Sequence, residues 1–301
     1  MLTLHTAKIT SLREYLLYTT YFYGMKLVKP KKFLGQHFLK DLRVAQDIAD
    51  TVDTCPDIPI LEVGPGMGVL TQYLLPKGRP TKVVELDSES VAYLHENFSE
   101  LGDNIIEQDF LRMDLNELFD GKPFVLTGNY PYNISSQIFF KMLDYKNLIP
   151  CCTGMIQKEV AERIAAKPGK KTYGILSVLI QAWYHVEYLF TVDEHVFNPP
   201  PKVKSAVIRM TRNEIQDLGC NEKLFKLIVK TTFNQRRKTL RNSISSILDK
   251  SNPLSADPIF NKRPEQLSVD EFIDLTNRVE KALANRTEGA LDTPVPPGNM
   301  E

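Results

Sequence analysis

Short apolar runs alternate with stretches of helical periodicity through the first half of the chain. PILEV (59–63), TKVVEL (81–86), NIIEQ (104–108), FVLT (124–127) and TGMIQ (153–157) predict five buried strands. Helical spacing of apolar residues marks the stretches between them, as in VLTQYLL, SVAYLHENF and ISSQIFFKMLDY. Strands that alternate with helices are typical of a parallel sheet covered on both faces. The pattern therefore predicts an α/β fold with a mostly parallel, doubly wound sheet.

The rhythm changes after a predicted helix from Lys158 to Ala166. A loop, KPGKKTYG, leads to an apolar helix (ILSVLIQAWY) and then to two late strands, VEYLFTV and AVIRMT. Beyond about residue 220 the pattern becomes helical and basic. We therefore predict a larger α/β domain over 25–215 and a small helical domain over 216–286.

The two ends of the chain differ from its middle. The stretch LREYLLYTTYFYG near the start is aromatic and β-branched, and it has no small-residue cleavage site. A second methionine, Met25, follows it directly before a basic stretch. We expect residues 1–24 to be a dispensable extension, with the working chain starting near Met25. Residues 287–301 are rich in Pro and Gly, and we expect a disordered tail there.

Composition indicates an ordinary folded protein, with 43% apolar and 25% charged residues among 301. The 37 basic and 37 acidic residues cancel, so no global field attracts a polyanion. Two local runs are predominantly basic: Lys26 to Arg43 has six basic residues against Asp41 alone, and Lys230 to Arg241 has five with no acid. They favour a phosphate-bearing partner, although a solvated surface is the alternative. The chain has no run of 18 apolar residues, and we expect no membrane span.

The four cysteines, Cys55, Cys151, Cys152 and Cys220, show no metal-binding spacing. We therefore expect no metal. Because Cys151 and Cys152 fall in a predicted buried strand, we also expect reduced thiols and a cytosolic protein.

Candidate binding groups follow three successive strands. GPGMG (64–68) follows the first strand, Glu85 ends the second, and Asp109 follows the third. Such glycines let a backbone approach a ligand, and the two carboxylates suit ribose hydroxyls and an exocyclic amine. Val69 occupies the last glycine position of the dinucleotide fingerprint, and Glu62 would repel a diphosphate, so a nicotinamide dehydrogenase is disfavoured. Each acid alone is more often a cap or turn residue; the set predicts a pocket for S-adenosylmethionine.

The stretch GNYPYNISSQ (128–137) follows the fourth strand. Its Asn offers one acceptor and two donors, and the Tyr beside it offers a flat face, so together they suit a nucleobase. The alternative is an Asn-capped turn before a helix that starts near Ile134.

These motifs together resemble the N6-adenine methyltransferases, whose signature is Asn or Asp, two residues, then an aromatic. More narrowly, residues 28–280 are similar to the KsgA-type rRNA adenine dimethyltransferases, through KKFLGQHFLKD, EVGPGMGVLT, VVELD, QKEVAERI, FNPPPKVKSAVI and FNQRRKTLRNSI. The resemblance implies a Rossmann-like class I methyltransferase with a small C-terminal helical domain. It implies S-adenosylmethionine-dependent dimethylation of N6 of two adjacent adenosines in the 3′-terminal hairpin loop of small-subunit (16S) rRNA, and a role in small-subunit biogenesis.

The resemblance also implies roles for single residues. The methyl donor would be held by His37, Leu39, Gly64, Glu85, Asp109 and Asn129, and catalysis would use Asn129, Tyr130, Pro131, Tyr132 and Phe197. The Asn129 oxygen and the Tyr130 carbonyl would accept the two N6 hydrogens, on a turn that Pro131 stiffens. Tyr132 and Phe197 would be the two faces against the base, the alternative for Phe197 being a hydrophobic anchor. His37 replaces a usual Asn, and Tyr130 a usual Leu.

For RNA we expect contacts from a short helical stretch that carries Arg236, Arg237, Lys238 and Arg241, and from Lys29, Lys31 and Lys32 near the donor. The implied partner is small-subunit rRNA in a pre-30S-like particle, bound by a cytoplasmic monomer without membrane contact.

Two rival readings remain at this point. The macrolide-resistance methyltransferases share the catalytic core but act on large-subunit rRNA, and the FNQRRKTLRNS and FNPPPKVKSAV motifs favour the KsgA type. A binding protein like the mitochondrial transcription factors of this family is disfavoured because the catalytic set is intact.

Overall fold

A computed structural model of the chain describes residues 28, 30, 31 and 35–291, with 286–291 described as backbone only. The predicted extension over 1–24, together with Lys29 and Lys32, lies outside these residues.

Nine strands lie within the described part of the chain. In order they are β1 Phe38–Leu39, β2 Ile60–Val63, β3 Thr81–Glu85, β4 Ile105–Glu107, β5 Val125–Thr127, β6 Cys151–Gln157, β7 Tyr184–Val192, β8 Phe197–Asn198 and β9 Ser205–Arg212.

The α-helices are connected to these strands by loops and short 3-10 turns. They are α1 Leu42–Asp50, α2 Thr71–Leu74, α3 Ser88–Asn97, α4 Ser135–Asp144, α5 Lys158–Ile164, α6 Ile175–Gln181, α7 Glu222–Asn234, α8 Leu240–Ser243 and α9 Val269–Leu291. None of the described helices combines the length and the apolar character needed to cross a membrane.

Seven strands form one sheet in the order β4-β3-β2-β5-β6-β9-β7. The pairs from β4 to β6 are parallel, and β9 runs antiparallel to both β6 and β7. The central strand β2 reads ILEV and is buried at all four positions, as expected for a strand covered on both faces. The predicted mostly parallel, doubly wound sheet is confirmed.

The strand order reverses beside β2. The chain proceeds from β2 outward through β3 and β4, and then returns to place β5 on the other side of β2. Open α/β sheets bind ligands at this kind of reversal, beyond the carboxyl ends of the strands. The register pairs Glu62 with Thr127, so the glycine turn after β2 and the GNYPYN turn after β5 lie side by side.

A two-stranded sheet lies beside this edge. Strand β1 pairs antiparallel with β8, with Leu39 opposite Phe197 and Phe38 opposite Asn198. The Lys40 amide also donates to the Val196 carbonyl at 2.8 Å. The stretch around QHFL is thereby fixed against the FNPPP stretch, far away in sequence.

The C-terminal helices do not form a separate core. Phe225, Ile228 and Phe233 on α7 and Phe272 on α9 are buried in a cluster that also contains Ile138 of α4. Helix α7 packs on α6 and α9. The helical part therefore shares its hydrophobic core with one face of the α/β part, and α9 continues to Leu291, past the predicted boundary at 286.

One prediction about the cysteines is wrong. Cys55 and Cys151 form a disulfide, with their Cα atoms 5.9 Å apart across a sequence separation of 96. Only Cys152 and Cys220 are free thiols. The error arose because Cys55 lies after α1, and tertiary packing alone brings that segment against the start of β6.

Candidate active site

A cavity of about 210 Å³ opens at the carboxyl edge of the sheet. Residues after β2, β3, β4 and β5 line it, together with the stretch 35–39. All six residues assigned to the donor line this cavity: His37, Leu39, Gly64, Glu85, Asp109 and Asn129.

The glycine turn is built from backbone conformations that other residues adopt at a cost. Gly64, Gly66 and Gly68 have φ of +70°, +57° and +74°. A Cβ at Gly66 would lie 3.0 Å from the Phe38 ring, and one at Gly68 would lie 2.3 Å from Phe98. Gly66 therefore keeps the cavity wall open beside Phe38, while Gly68 is needed for helix packing.

Glu85 is held rigidly at the end of β3. Its side chain is 7% exposed, and it accepts hydrogen bonds from the amides of Gly66 (3.0 Å), Leu86 and Asp87 (both 2.9 Å). Burial raises the pKa of Glu85, and the three amides oppose that rise. A carboxylate fixed in this way at the cavity is suited to a pair of neighbouring hydroxyl groups.

Leu86 was missed by sequence reasoning. It follows Glu85 directly, lines the cavity and is 53% exposed. Its side chain offers an apolar surface to a flat ring. The available signal was an apolar residue placed directly after the strand-ending acid in VVELD.

Asp109 begins the turn that follows β4. Its Oδ1 accepts from the Leu111 amide at 2.9 Å, and its Oδ2 lies 3.4 Å from Nε of Arg112. Asp109 therefore caps the turn, which is the alternative role expected for a single acid at this position, and it also lines the cavity. One carboxylate serves both purposes because it has several lone pairs.

Glu62 is a second buried acid beside the glycine turn. It is 1% exposed, and its Oε2 accepts from the Thr71 hydroxyl at 2.6 Å. Burial raises the pKa of Glu62 to about 8, the Thr71 hydrogen bond opposes the rise, and the charge of Glu85 adds to it. At neutral pH this carboxyl is therefore mostly protonated in the folded chain.

We expect the free energy of unfolding to fall as pH rises from 6 to 8, in part because of Glu62. The unfolded chain releases this proton near the ordinary value of 4.5, whereas the folded chain keeps it up to about 8. The stabilising proton is thus present at low pH and lost as pH rises through the folded pKa, at up to about 1.4 kcal/mol per pH unit.

Urea denaturation at both pH values, without donor, measures this change. Glu62→Gln should flatten it, since the amide cannot titrate and all other groups are common to both proteins. An equal pH dependence in the two proteins would show that Glu62 ionises normally.

The GNYPYN turn is anchored by β6. The Tyr130 amide donates to the Met155 carbonyl, and the Met155 amide donates to the Gly128 carbonyl, both at 3.0 Å. Nδ2 of Asn129 donates to the His37 carbonyl at 3.3 Å, which orients the side chain. Oδ1 of Asn129 and the carbonyl oxygen of Tyr130 accept no hydrogen bond from any residue that the structure describes. Two acceptors on one fixed turn are therefore available.

The Tyr130 side chain is buried beneath the turn. It is 1% exposed, and its hydroxyl donates to the Thr153 carbonyl at 2.9 Å and lies 3.2 Å from Sγ of Cys152. Burial raises the pKa of Tyr130 well above its ordinary value. Gly154 makes room for the ring, because a Cβ there would lie 2.7 Å from it. The departure from the usual Leu is thus a packing change beneath the turn.

The aromatic residues are arranged differently from the prediction. Tyr132 stacks on His37, with ring centroids 5.4 Å apart and an interplanar angle of 29°. Its hydroxyl bonds to Ser205, and Nδ1 of His37 donates to the Pro199 carbonyl at 2.9 Å. Phe197 is 1% exposed and does not line the cavity. Phe197 is therefore a hydrophobic anchor here, because pairing of β8 with β1 turns its ring into the core.

The structure shows where the residues expected to contact RNA lie, and it corrects the helical position expected for three of them. Lys31 forms ion pairs with Asp87 and Glu89, so its charge is neutralised within the chain. Arg236, Arg237 and Lys238 lie in the turn between α7 and α8, not on a helix, because α7 ends at Asn234.

The four basic residues between 236 and 241 differ from one another in exposure and in pairing. Arg241 lies on α8 and is exposed, as are Arg237 and Lys238. Arg236 is bound to Glu265 and to the Lys170 carbonyl.

The cavity fits S-adenosylmethionine in the chemistry of its lining. Buried acids lie within β2 and at the end of β3, the apolar side chain of Leu86 lies beside Glu85, and the glycine turn leaves wall space that a Cβ would fill. In the described part of the chain, no group of three or more His, Cys, Asp or Glu side chains could hold a metal ion.

Comparisons with known proteins identify the family of the chain. A model of the family described as ribosomal RNA adenine dimethylase matches residues 28–281. The chain is similar to the ribosomal RNA small subunit methyltransferase A of Phocaeicola vulgatus, at 85% identity over 88% of this chain and 94% of that protein. The protein of the same name from Bacteroides thetaiotaomicron is 79% identical over 87% of this chain and 98% of its own.

Two solved structures are similar to this chain in fold and in sequence. A dimethyladenosine transferase from Plasmodium falciparum has a TM-score of 0.67 at 25% identity, covering 82% of this chain and 98% of its own. The 23S rRNA methyltransferase ErmE has a TM-score of 0.58 at 27% identity, and the match covers 79% of this chain and 99% of the ErmE chain.

The fold and the cavity define a class I methyltransferase that uses S-adenosylmethionine. More narrowly, the chain belongs to the ribosomal RNA adenine dimethylase family. It is an rRNA adenine dimethyltransferase, and the predictions of fold class, donor and enzyme activity are confirmed.

Proposed function

We propose that the chain dimethylates N6 of two adjacent adenosines in the 3′-terminal hairpin loop of small-subunit rRNA, within a pre-30S-like particle. The main support for this chemistry is that Oδ1 of Asn129 and the Tyr130 carbonyl accept no hydrogen bond from a described residue. Both acceptors lie on the GNYPYN turn, beside a cavity suited to the donor. The small-subunit substrate is supported by relatives named ribosomal RNA small subunit methyltransferase A.

For donor binding we assign distinct tasks to the cavity residues. Glu85 accepts from the two ribose hydroxyls, Leu86 packs on the adenine ring, and Asp109 accepts from its exocyclic amine. Gly64, Leu39 and His37 form the walls nearer the turn. When bound, S-adenosylmethionine supplies the methyl group.

Asn129 and Tyr130 act on the target nitrogen. The lone pair of adenine N6 is delocalised into the ring, which makes it a poor nucleophile. Oδ1 of Asn129 and the Tyr130 carbonyl each accept one N–H bond, which favours a tetrahedral nitrogen with its lone pair directed at the methyl group. Preorganised acceptors of this kind act by position and electrostatics.

Tyr132 is the ring available to the target base. The base must leave its stack to reach the cavity, since N6 is otherwise buried in pairing or stacking. In the structure Tyr132 faces His37, so the His37–Tyr132 stack has to open for a base to lie against Tyr132. Pro131 limits the backbone freedom of the turn that carries both groups.

Methylation mapping tests the substrate. Small ribosomal subunits whose terminal adenosines are unmethylated are incubated with the chain and labelled donor, and modified positions are read by primer extension. Label should appear at two adjacent adenosines near the 3′ end, and large subunits should remain unlabelled. Labelling confined to large-subunit rRNA would contradict the proposal and favour the macrolide-resistance activity.

The surroundings of the enzyme are also proposals. We place it in the cytoplasm as a monomer without membrane contact. The argument from reduced thiols no longer supports this location, because Cys55 and Cys151 are bonded. The location therefore rests on the rRNA substrate alone.

A further inference from the structure

Three segments that are distant in sequence meet where the α/β part joins the C-terminal helices. The first is the loop 167–171 after α5, the second is 236–241, which comprises the turn after α7 and the start of α8, and the third is 262–265 before α9. We call their common face the junction surface. It includes residues of both predicted domains.

Each pair of segments is joined by at least one hydrogen bond. The Gly169 amide donates to the Glu265 carbonyl at 2.6 Å, and the Leu240 amide donates to the Lys262 carbonyl at 2.8 Å. Arg236 completes the set, since its Nη2 donates to the Lys170 carbonyl at 3.2 Å. The three segments therefore have fixed relative positions.

The junction surface is predominantly basic. Its exposed basic side chains, none of which forms an ion pair with a residue that the structure describes, are Lys167, Lys170, Lys171, Arg237, Lys238, Arg241 and Arg263. Glu265 is the one acid within the three segments, and its nearest cation is Arg236, with Nε 3.8 Å from Oε2. In a chain with no net charge, this concentration of unpaired cations is a local feature.

We infer that the junction surface binds the phosphate backbone of RNA, and that Lys167, Lys170 and Lys171 contact phosphates alongside Arg237 and Lys238. Unpaired cations near one another repel, and a polyanion relieves that repulsion while releasing its own counterions. The cations come from loops and turns and carry no aromatic residues among them, so they suit backbone contact over base reading. This inference rests on the proposed function and adds the 167–171 loop to the RNA site.

Arg236 has a different task from its neighbours. Its planar guanidinium reaches the Lys170 carbonyl and the Glu265 carboxylate together, and Oε2 of Glu265 is buried without a hydrogen bond. Arg236 is therefore a positioning residue that holds the loop against the helical part. A lysine has a single charged nitrogen and lacks the planar fork that makes both contacts.

The test compares two triple variants that remove equal charge. Lys167→Ala/Lys170→Ala/Lys171→Ala alters the loop. The control, Lys122→Ala/Lys223→Ala/Lys281→Ala, alters three exposed lysines that also lack ion pairs with described residues. Lys223 lies at the far end of α7 from the turn, and Lys281 lies about 18 Å along α9 from its start.

Binding to unmethylated small subunits is measured from 50 to 200 mM KCl. The loop variant should lower the slope of log K against log salt by about 2 to 3, and its Kd should rise about ten-fold or more at 150 mM. The control should keep the wild-type slope, and donor affinity should be equal in all three proteins. An unchanged slope in the loop variant overturns the inference.

The methylation rate at saturating subunits separates this inference from the proposed function. A loop variant with normal rate and reduced affinity supports both. If the wild-type chain methylates subunits and the loop variant binds them with normal affinity, the inferred RNA binding by the junction surface is wrong, and the proposed function still stands. If the wild-type chain binds subunits but never methylates them, the proposed function is wrong. The salt dependence of the loop variant then still tests whether the junction surface binds RNA.

Hydrogen exchange tests the positioning residue. Arg236→Lys keeps the charge but should speed exchange of the Gly169 amide about ten-fold, because the loop loses its hold on the helical part. Arg237→Lys should leave this exchange unchanged. Equal protection of Gly169 in both variants would show that Arg236 does not position the loop.

Discussion

Asn129→Ala is expected to lower the rate of methyl transfer about 10²–10³-fold while donor and RNA bind at close to normal affinity. The Asn129 oxygen acts on N6 as it becomes tetrahedral, so its contribution is larger in the transition state than in the ground state. The structure supports this because Nδ2 is already committed to the His37 carbonyl, which leaves Oδ1 directed for one task. A single-turnover assay at saturating donor and RNA separates chemistry from binding.

Asn129→Asp is the matched variant. It keeps an acceptor oxygen but loses the N–H donor that His37 uses, so its rate should lie between those of the wild type and Asn129→Ala. Normal transfer by Asn129→Ala would mean that GNYPYN is a capped turn only. Equal loss in both variants would place the main effect in the His37 contact.

Glu85→Ala is expected to remove most donor binding. Two ribose hydroxyls would be stranded in the cavity, at about 1–3 kcal/mol each. Loss of the carboxylate also leaves the amides of Gly66, Leu86 and Asp87 without their acceptor, so the glycine turn itself loses support. The Kd for S-adenosylmethionine, measured by calorimetric titration, should rise by at least about 30-fold.

Glu107→Ala is the control for this change. Glu107 lies opposite Glu85 in the register of β3 and β4, but it is exposed and does not line the cavity. Its replacement should leave donor affinity unchanged. Thermal melting of both variants identifies any loss of folded protein. Unchanged affinity in a folded Glu85→Ala chain would refute the assignment of the donor pocket.

The sequence alone determined the parallel sheet and the cavity residues at its edge. Local periodicity fixes which runs become strands, and parallel connectivity forces their carboxyl ends to one edge. Gly64, Glu85, Asp109 and Asn129 each follow or end such a run, so they had to converge once the fold was known. The family resemblance supplied their individual roles.

Other features were decided only by tertiary packing. Phe197 is turned inward by pairing of β8 with β1, and His37 binds a carbonyl that lies 162 positions away. The Cys55–Cys151 bond has the same origin.

Glu62 and Arg236 show the same limit for charged groups. An acid in a strand and an arginine in a basic run look alike whether they are buried, paired or free. Only the folded chain places Glu62 against Thr71 and Arg236 against Glu265. Local sequence specifies backbone conformation through short-range sterics and periodicity, whereas the partner of a side chain depends on which distant surface packs against it.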